Sequence, residues 1–268
     1  MIEEIADYIR AQIGRNLPET AIILGSGLGG LGDEIEKPVY INYKDIPGFP
    51  HSTVAGHKGR LIIGRLEGKM VLCMQGRIHL YEGHDPSAIK LIIEVFHQLG
   101  IKKLIVTNAA GSLKLDMPPG SIMLIKDHIN FSGRNPLAGP NDEKYGPRFP
   151  VMNDAYTPAF REKIRQIAKE NDIPLHEGVY LMVLGPNFET VAEIKAFRIL
   201  GADAVGMSTV PEVICAARSG IKVLGLSVIT NFGTGMNEQI HDHAQTLHQA
   251  DMAAANLTKL VRGFIKED

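Results

Sequence analysis

The stretch Leu104-Ile-Val-Thr-Asn-Ala-Ala-Gly111 joins a short apolar run to a cluster of small and polar residues, and the same arrangement occurs six times in the chain. Continuous apolar runs are typical of strands that are buried on both faces of a sheet. Ligands of α/β sheets bind beyond the carboxyl ends of such strands, so the six clusters predict one shared pocket. The runs and their clusters are 21–24 with 25–27, 70–74 with 75–77, 104–106 with 107–111, 179–184 with 185–189, 204–205 with 206–208, and 223–229 with 230–231.

Length and composition predict a single domain spanning residues 1–268. The expected fold class is α/β, with a mixed, largely parallel twisted sheet that contains a β-hairpin and is flanked by helices. A formal net charge of −2 argues against nucleic acid or an anionic membrane as partner. The two cysteines, Cys73 and Cys215, lie in apolar stretches, and the N-terminal residues are acidic. These features favour a reducing, cytoplasmic location without a signal peptide or membrane span.

Several local patterns predict individual elements. Residues 60–66 and 69–75 flank a Glu-Gly pair, which is typical of a β-hairpin. Thr190-Val-Ala-Glu193 is a capping box at a helix start, and Thr209-Val-Pro-Glu212 resembles a second one. Residues 127–153 form a long irregular stretch, and a stretch of that length inside a domain is usually functional or interfacial.

A glycine-rich loop, Gly25-Ser-Gly-Leu-Gly-Gly30, matches the dinucleotide-binding fingerprint. However, only residues 31–37 separate it from the strand predicted at 39–43, which is too short for a crossover helix. An NAD-dependent dehydrogenase is therefore disfavoured. The loop amides and the Ser26 hydroxyl could hold a small anion, although a plain tight turn explains the same residues about equally well.

Alternate residues on an extended backbone project to one side, so Arg77, His79 and Tyr81 should share a face. An arginine beside an imidazole suits an oxyanion, whereas the alternative is a solvated strand face. Ser208 lies before a predicted helix, where free amides favour anions, although it could be a routine N-cap. These residues predict a phosphate site.

Phe188, Glu189 and Asn231 combine an aromatic ring, a carboxylate and a carboxamide, which suit a planar heterocycle. Alternatively, Glu189 favours a following helix and Asn231 ends a strand. The histidines at 241, 243 and 248 would point in different directions on a helix, so we expect no metal site. His57 is predicted from sequence alone to be a loop residue.

With these residues in view, the chain resembles the homotrimeric class of purine nucleoside phosphorylases over nearly its whole length. The segments that carry the resemblance are 23–29, 49–57, 76–83, 107–111, 185–190, 201–212 and 229–231. The resemblance implies that purine ribo- and deoxyribonucleosides, such as inosine and guanosine, react with phosphate to give the free base and (deoxy)ribose 1-phosphate. It further implies a role in purine salvage, a cytoplasmic homotrimer, and no metal or organic cofactor, with phosphate as co-substrate.

The resemblance also implies a role for each matching position. Phosphate would be bound by Ser26, His57, Arg77, His79, Ala109 and Ser208. The base would be bound by Ala110, Gly111, Phe188, Glu189, Val205, Gly206 and Asn231. The ribose would be held by Tyr81, Met207, His243 and, from a neighbouring subunit, Tyr145. Asn231, His79 and Glu189 would be the catalytic residues.

Two other classes of function remain to be compared with this one. A hydrolytic nucleosidase would use water and would leave Arg77 and His79 without a purpose. A non-catalytic binding protein would hold inosine and release no hypoxanthine when phosphate is present.

Overall fold

The computed structural model describes residues 1–14, 16–54, 58–237 and 243–267, and for residues 243–245 only the backbone. The strands are β1 Thr20–Ile23, β2 Glu36–Asn42, β3 Arg60–Leu66, β4 Lys69–Gln75, β5 Lys103–Ser112, β6 Ile122–Asn130, β7 Leu175–Met182, β8 Ala204–Gly206 and β9 Lys222–Phe232. The helices are α1 Ile2–Ile13, α2 Ser87–Leu99, α3 Pro158–Glu170, α4 Val191–Ile199, α5 Val210–Arg218 and α6 His243–Glu267. Among the described residues, none of the helices has the length and apolarity needed to cross a bilayer.

The nine strands form one mixed sheet in the order β2-β3-β4-β1-β5-β8-β7-β6-β9. Because β9 also pairs with β5, the five strands β5, β8, β7, β6 and β9 close on themselves as a small barrel. The strands β4, β1, β5 and β9 run parallel to their neighbours in this series. In contrast, β8 runs antiparallel to β5, and β6 runs antiparallel to β9. The predicted mixed α/β fold is therefore confirmed.

Two apolar layers cover the opposite faces of the sheet. Successive residues of β1 and the residue after it alternate between them: Ala21 and Ile23 join one cluster and Ile22 and Leu24 the other. The first cluster includes residues of α1, α2 and α5, and the second includes residues of α3 and α6. Burial of each large aliphatic side chain contributes roughly 1.5–3 kcal/mol, so these layers hold the strand ends in fixed positions.

The hairpin prediction is confirmed, since β3 and β4 pair without a break from Arg60 with Gln75 to Leu66 with Lys69. Both turn residues, Glu67 and Gly68, have positive φ angles of 51° and 76°, as a type I′ turn requires. After the glycine-rich loop the chain forms a short 3₁₀ helix and then β2, which pairs antiparallel with β3. The strands β1 and β2 are parallel with two strands between them, and a short 3₁₀ helix connects them in place of the α-helix that a dinucleotide fold needs.

The strands that precede the six clusters do not all run in the same direction. The strand β8 points opposite to β5, with Gly111 paired to Val205, and β7 is parallel to β8. The clusters still meet because β5 is ten residues long and its last residues pass alongside β8. The pocket therefore lies where two sets of opposed strands converge.

Candidate active site

One cavity of about 280 Å³ lies at this convergence, close to the lower end of the size range of small-molecule sites. It is lined by residues from six chain segments, with further contributions from residues 54 and 246. The sequence-predicted residues that line it are Ser26, Arg77, His79, Tyr81, Ala109, Ala110, Gly111, Phe188, Glu189, Val205, Gly206, Met207, Ser208 and Asn231. We call Ser26, Arg77, His79, Ala109 and Ser208 the anion half. We call Phe188, Glu189 and Asn231 the base half.

Arg77 lies at the base of the anion half, where its side chain is only 2% exposed. Its Nη1 donates to Ser208 Oγ and to Thr209 Oγ1, both at 2.8 Å, and its Nη2 donates to the Thr107 carbonyl oxygen at 2.5 Å. Glu212 Oε1 lies 3.5 Å from Nη1. A buried guanidinium needs such partners, and they fix it in one orientation beside the cavity.

His79 is held by Glu82, which follows it in a short 3₁₀ turn. The Glu82 carboxylate accepts from the His79 backbone N–H at 2.7 Å and from the Thr53 N–H at 2.6 Å, and it lies 3.4 Å from His79 Nδ1. Burial alone would raise the pKa of Glu82, but these hydrogen bonds lower it to about 2. Burial and the Arg77 charge lower the pKa of His79, and Glu82 opposes them only in part. His79 is therefore a neutral imidazole at pH 7.

Arg77, His79 and Tyr81 all line the cavity, as their alternation predicts. The backbone is extended at His79, with φ −121° and ψ 149°, but Tyr81 lies in the 3₁₀ turn. The His79 and Tyr81 rings stack at 4.6 Å between centroids with 15° between their planes. Ring stacking, rather than continued strand geometry, keeps Tyr81 on the same side.

The glycine-rich loop joins the anion half through a close approach of the backbone. Gly25 N donates to Thr107 Oγ1 at 3.2 Å, and a Cβ at Gly25 would lie 2.8 Å from Asn108 Cα. Only glycine allows the two backbones to come this close. The close approach places Ser26, which follows β1, and Ala109, which lies in the neighbouring strand β5, in one cavity.

In the base half, the Glu189 side chain is buried while Phe188 is 43% exposed. Burial raises the pKa of the Glu189 carboxyl above its usual value. Thr230 Oγ1 donates to Asn231 Oδ1 at 2.9 Å, and Asn231 Nδ2 donates to the Phe232 carbonyl at the same distance. The Asn231 amide is therefore held in one orientation, with one Nδ2 hydrogen left for a ligand.

Glycines make room between the two halves. A Cβ at Gly111 would lie 3.0 Å from Asn231 Nδ2, and a Cβ at Gly185 would lie 2.5 Å from Met207 Sδ. A Cβ at Gly206 would lie 2.3 Å from Tyr180 Oη. These positions cannot carry a side chain without displacing a group that lines or supports the cavity.

Three sequence-predicted residues are not among those that line the cavity. His57 lies outside the described residues, and His243 begins α6 with only its backbone described. Tyr145 is 4% exposed and packs edge-on against His97 of its own chain, with ring centroids 5.8 Å apart. The irregular stretch instead exposes Phe149, which is 86% accessible. This burial argues against Tyr145 reaching a neighbouring subunit, because the ring would have to leave its own core.

The sequence patterns missed other residues of the cavity, among them Asn108, Thr230, Thr246 and Val54. Asn108 and Thr230 belong to the polar clusters that follow the apolar runs, so this pattern could have identified them. Thr246 lies on α6 and Val54 in a loop, where no pattern marked them. Within the part of the chain that the structure describes, no group of three or more His, Cys, Asp or Glu side chains is arranged for a metal ion.

Comparison with known proteins places the chain in one family. The sequence profile of the Phosphorylase superfamily matches residues 19–266. Purine nucleoside phosphorylase 1 of Bacillus subtilis (strain 168) is 46% identical over 269 residues, which cover 99% of this chain and 98% of that protein. Two crystal structures of Schistosoma mansoni purine nucleoside phosphorylase each superpose with a TM-score of 0.94. The adenosine complex is 38% identical over 99% of this chain and 96% of that one, and the inosine complex is 37% identical over 100% and 96%. The chain belongs to the Phosphorylase superfamily and, within it, to the purine nucleoside phosphorylases.

Proposed function

We propose that the two halves of the cavity carry out phosphorolysis of purine ribo- and deoxyribonucleosides, with inosine and guanosine as preferred substrates. The products are the free base and (deoxy)ribose 1-phosphate, and the protein would act in the cytoplasm in purine salvage. The observation that carries this assignment is the single cavity lined both by Arg77 and Ser208 and by Glu189 and Asn231.

Phosphate would occupy the anion half. Arg77 would supply a fixed positive charge, Ser26 and Ser208 would supply hydroxyls, and the Ala109 amide would add a further contact. A contact from His57 is expected only from the resemblance, since this residue lies outside the described residues. His79 is neutral and has a single N–H, so it would donate either to the anion or to Glu82, which lies 3.4 Å from its Nδ1, and not to both at once. Bound phosphate would stabilise the positive charge that develops on the ribose and then attack its C1′ atom. Holding the phosphate in place lowers the entropic cost of bringing it to C1′. We expect this reaction to need no metal or organic cofactor.

The purine would occupy the base half. Breaking the glycosidic bond moves an electron pair into the ring, and negative charge develops at N7. The free Nδ2 hydrogen of Asn231 can donate to N7, which favours the transition state over the ground state. Tyr81, Met207 and His243 would hold the ribose between the two halves.

Glu189 would choose between purine bases. An ionised carboxylate accepts a hydrogen bond from the N1–H of hypoxanthine or guanine, whereas adenine presents a lone pair at N1. We therefore expect higher kcat/KM for inosine and guanosine than for adenosine. The chain is similar to a schistosome enzyme crystallised with adenosine, so binding alone does not measure this selectivity and turnover must be compared.

A homotrimer would complete the ribose site with an aromatic ring from a neighbouring subunit. The exposure of Phe149 and the burial of Tyr145 make Phe149 the better candidate for that contact. We expect Phe149→Ala to raise the KM for inosine severalfold while Tyr145→Phe leaves it unchanged. A monomer in sedimentation analysis, or equal KM values for the two variants, would contradict this assignment.

The central test measures hypoxanthine release from inosine with and without inorganic phosphate. A phosphorylase releases base only with phosphate and forms ribose 1-phosphate in equal amount. Release in phosphate-free buffer would instead indicate a hydrolytic nucleosidase. Inosine binding without release under either condition would indicate a non-catalytic binding protein.

A further inference from the structure

Thr209 was expected to cap α5 but does something else. Its side chain makes no capping hydrogen bond to the helix, although Thr190 caps α4 as predicted, by accepting from Glu193 N. Thr209 has φ 77° and ψ −50°, and Val210 N donates to Ser208 O at 2.8 Å across it. This is a classic γ-turn, a strained conformation that is a genuine outlier for a β-branched residue. Such strain persists only where the surrounding contacts hold it.

The contacts that hold Thr209 are those of its fully buried hydroxyl group. Arg77 Nη1 donates to Thr209 Oγ1 at 2.8 Å, and Asn108 Nδ2 donates to it at 2.9 Å. A hydroxyl oxygen has two lone pairs, so both are occupied. Its remaining polar neighbour is Ser208 Oγ at 3.1 Å, which must therefore receive the Thr209 proton.

Counting lone pairs and hydrogens in the same way determines the role of the Ser208 hydroxyl. Ser208 Oγ accepts from Arg77 Nη1 at 2.8 Å and from Thr209 Oγ1, so both of its lone pairs are also occupied. Its own hydroxyl hydrogen is the remaining hydrogen-bonding capacity of that atom. Ser208 lines the cavity and its side chain also hydrogen-bonds to Tyr180, so an anion there competes with the neutral Tyr180 hydroxyl for this hydrogen and, being charged, is the stronger acceptor. The unprotonated oxygens of inorganic phosphate are acceptors that suit a group of this kind.

We propose that Thr209 is a positioning residue that makes Ser208 an obligate donor to phosphate and holds Arg77 and Asn108 in place. The strained backbone is what turns the Thr209 hydroxyl away from the helix and toward these three side chains. This inference depends on the proposed role of Arg77 and Ser208 as the phosphate site. It goes further by assigning a function to a residue that is not itself among those lining the cavity.

The test compares three substitutions at Thr209 by steady-state kinetics, with phosphate and inosine varied separately. Thr209→Val keeps the shape and removes the hydroxyl group, and we expect it to raise the KM for phosphate about tenfold or more, as for loss of a hydrogen bond to a charged group. The KM for inosine should change less than about twofold on the same reasoning. Thr209→Ser keeps the hydroxyl group and should restore a phosphate KM near that of the unmodified protein. Thr209→Gly removes the hydroxyl group while relieving the strain, so it provides the measurement if the valine variant fails to fold.

Thr157→Val is the matched control. Thr157 also precedes a proline-containing helix start and also accepts a hydrogen bond, from Val223 N at 3.1 Å, but it is not among the residues that line the cavity. Its variant should lose stability without a change in phosphate KM. An unchanged phosphate KM in both Thr209→Val and Thr209→Gly would overturn the inference. An equal rise in phosphate KM in Thr209→Ser and Thr209→Val would overturn it as well.

A Ser208→Ala variant in the same assay distinguishes a failure of the role of Thr209 from a failure of the proposed phosphate site. If its phosphate KM rises while that of Thr209→Val does not, the inference on Thr209 fails and the phosphate site stands. If Ser208→Ala also leaves phosphate KM unchanged, the phosphate site itself is wrongly assigned and the inference on Thr209 fails with it.

Discussion

Replacing Asn231 by alanine removes the group that we expect to donate to purine N7. Two of its hydrogen-bonding positions are already used, toward Thr230 and Phe232, so one Nδ2 hydrogen remains for the substrate. Loss of a single preorganised donor of this kind typically lowers kcat by about 10²–10³, or roughly 2.7–4 kcal/mol. Asn231 is only partly buried, which favours the lower part of that range. The KM for inosine should change little, because N7 of the intact nucleoside is a weak acceptor.

The assay is hypoxanthine formation from inosine at saturating phosphate, together with single-turnover measurements that separate chemistry from product release. Asn171→Ala is a control outside the cavity: this exposed asparagine also donates to a backbone carbonyl, that of Ile167, and it is not among the residues that line the cavity. It should lose some stability and keep kcat. If the single-turnover rate of Asn231→Ala is within about threefold of the unmodified protein, or if KM rises in place of a fall in kcat, N7 donation by Asn231 is refuted.

Three other outcomes follow from the geometry of the cavity. Glu82 has a folded pKa of about 2, below its usual 4.5, so it stabilises the native state above pH 4.5 and that contribution is lost as pH falls toward 2. Because the pKa of His79 is lower in the folded state, the unfolded chain binds more protons below about pH 6.5. The native state therefore also loses stability as the pH decreases below that value. Thermal unfolding against pH should show both effects, and Glu82→Gln should flatten the curve below pH 4.5; an unaltered curve would contradict the assignment. Gly206→Ala places a Cβ 2.3 Å from Tyr180 Oη and should cost about 1–3 kcal/mol in urea unfolding, with part of the loss recovered by adding Tyr180→Phe. Absence of any recovery would show that the clash lies elsewhere. Glu189→Gln should lower kcat/KM for inosine about tenfold or more and bring it closer to that for adenosine, and an unchanged ratio of the two would remove Glu189 from base selection.

Local patterns predicted the scaffold well where each pattern depends on neighbouring residues. The Glu67-Gly68 turn supplies the positive φ angles that a two-residue hairpin needs, so β3 and β4 were predictable with their ends. The Thr190 capping box was predictable for the same reason. Barrel closure was not, because the pairing of β5 with β9 joins segments more than a hundred residues apart. No periodicity in either strand carries that information.

Burial within the irregular stretch was equally hidden from the sequence. Tyr145 and Phe149 are two aromatic residues four positions apart in a segment without periodic structure. Tertiary contacts decide between them: Tyr145 packs on His97, and Arg218 donates to the backbone carbonyl of Asp142 nearby. Phe149 is thus exposed because Tyr145 is the ring that packs into the core. A match to family motifs does not show which of the two rings is buried.

Three departures from local rules lie at or beside the cavity. Thr209 has a backbone conformation that its own side chain disfavours, Arg77 is a nearly fully buried charge, and Glu189 is a buried carboxyl with a raised pKa. Each would destabilise an isolated element, and two of them, Arg77 and Thr209, are held by hydrogen bonds from other parts of the fold. A sequence that is locally consistent elsewhere tolerates such residues only where they are retained for a purpose. The strained turn beside a buried arginine therefore indicates a functional role for the anion half of the cavity independently of the resemblance to a family, because it rests on physical cost and not on likeness.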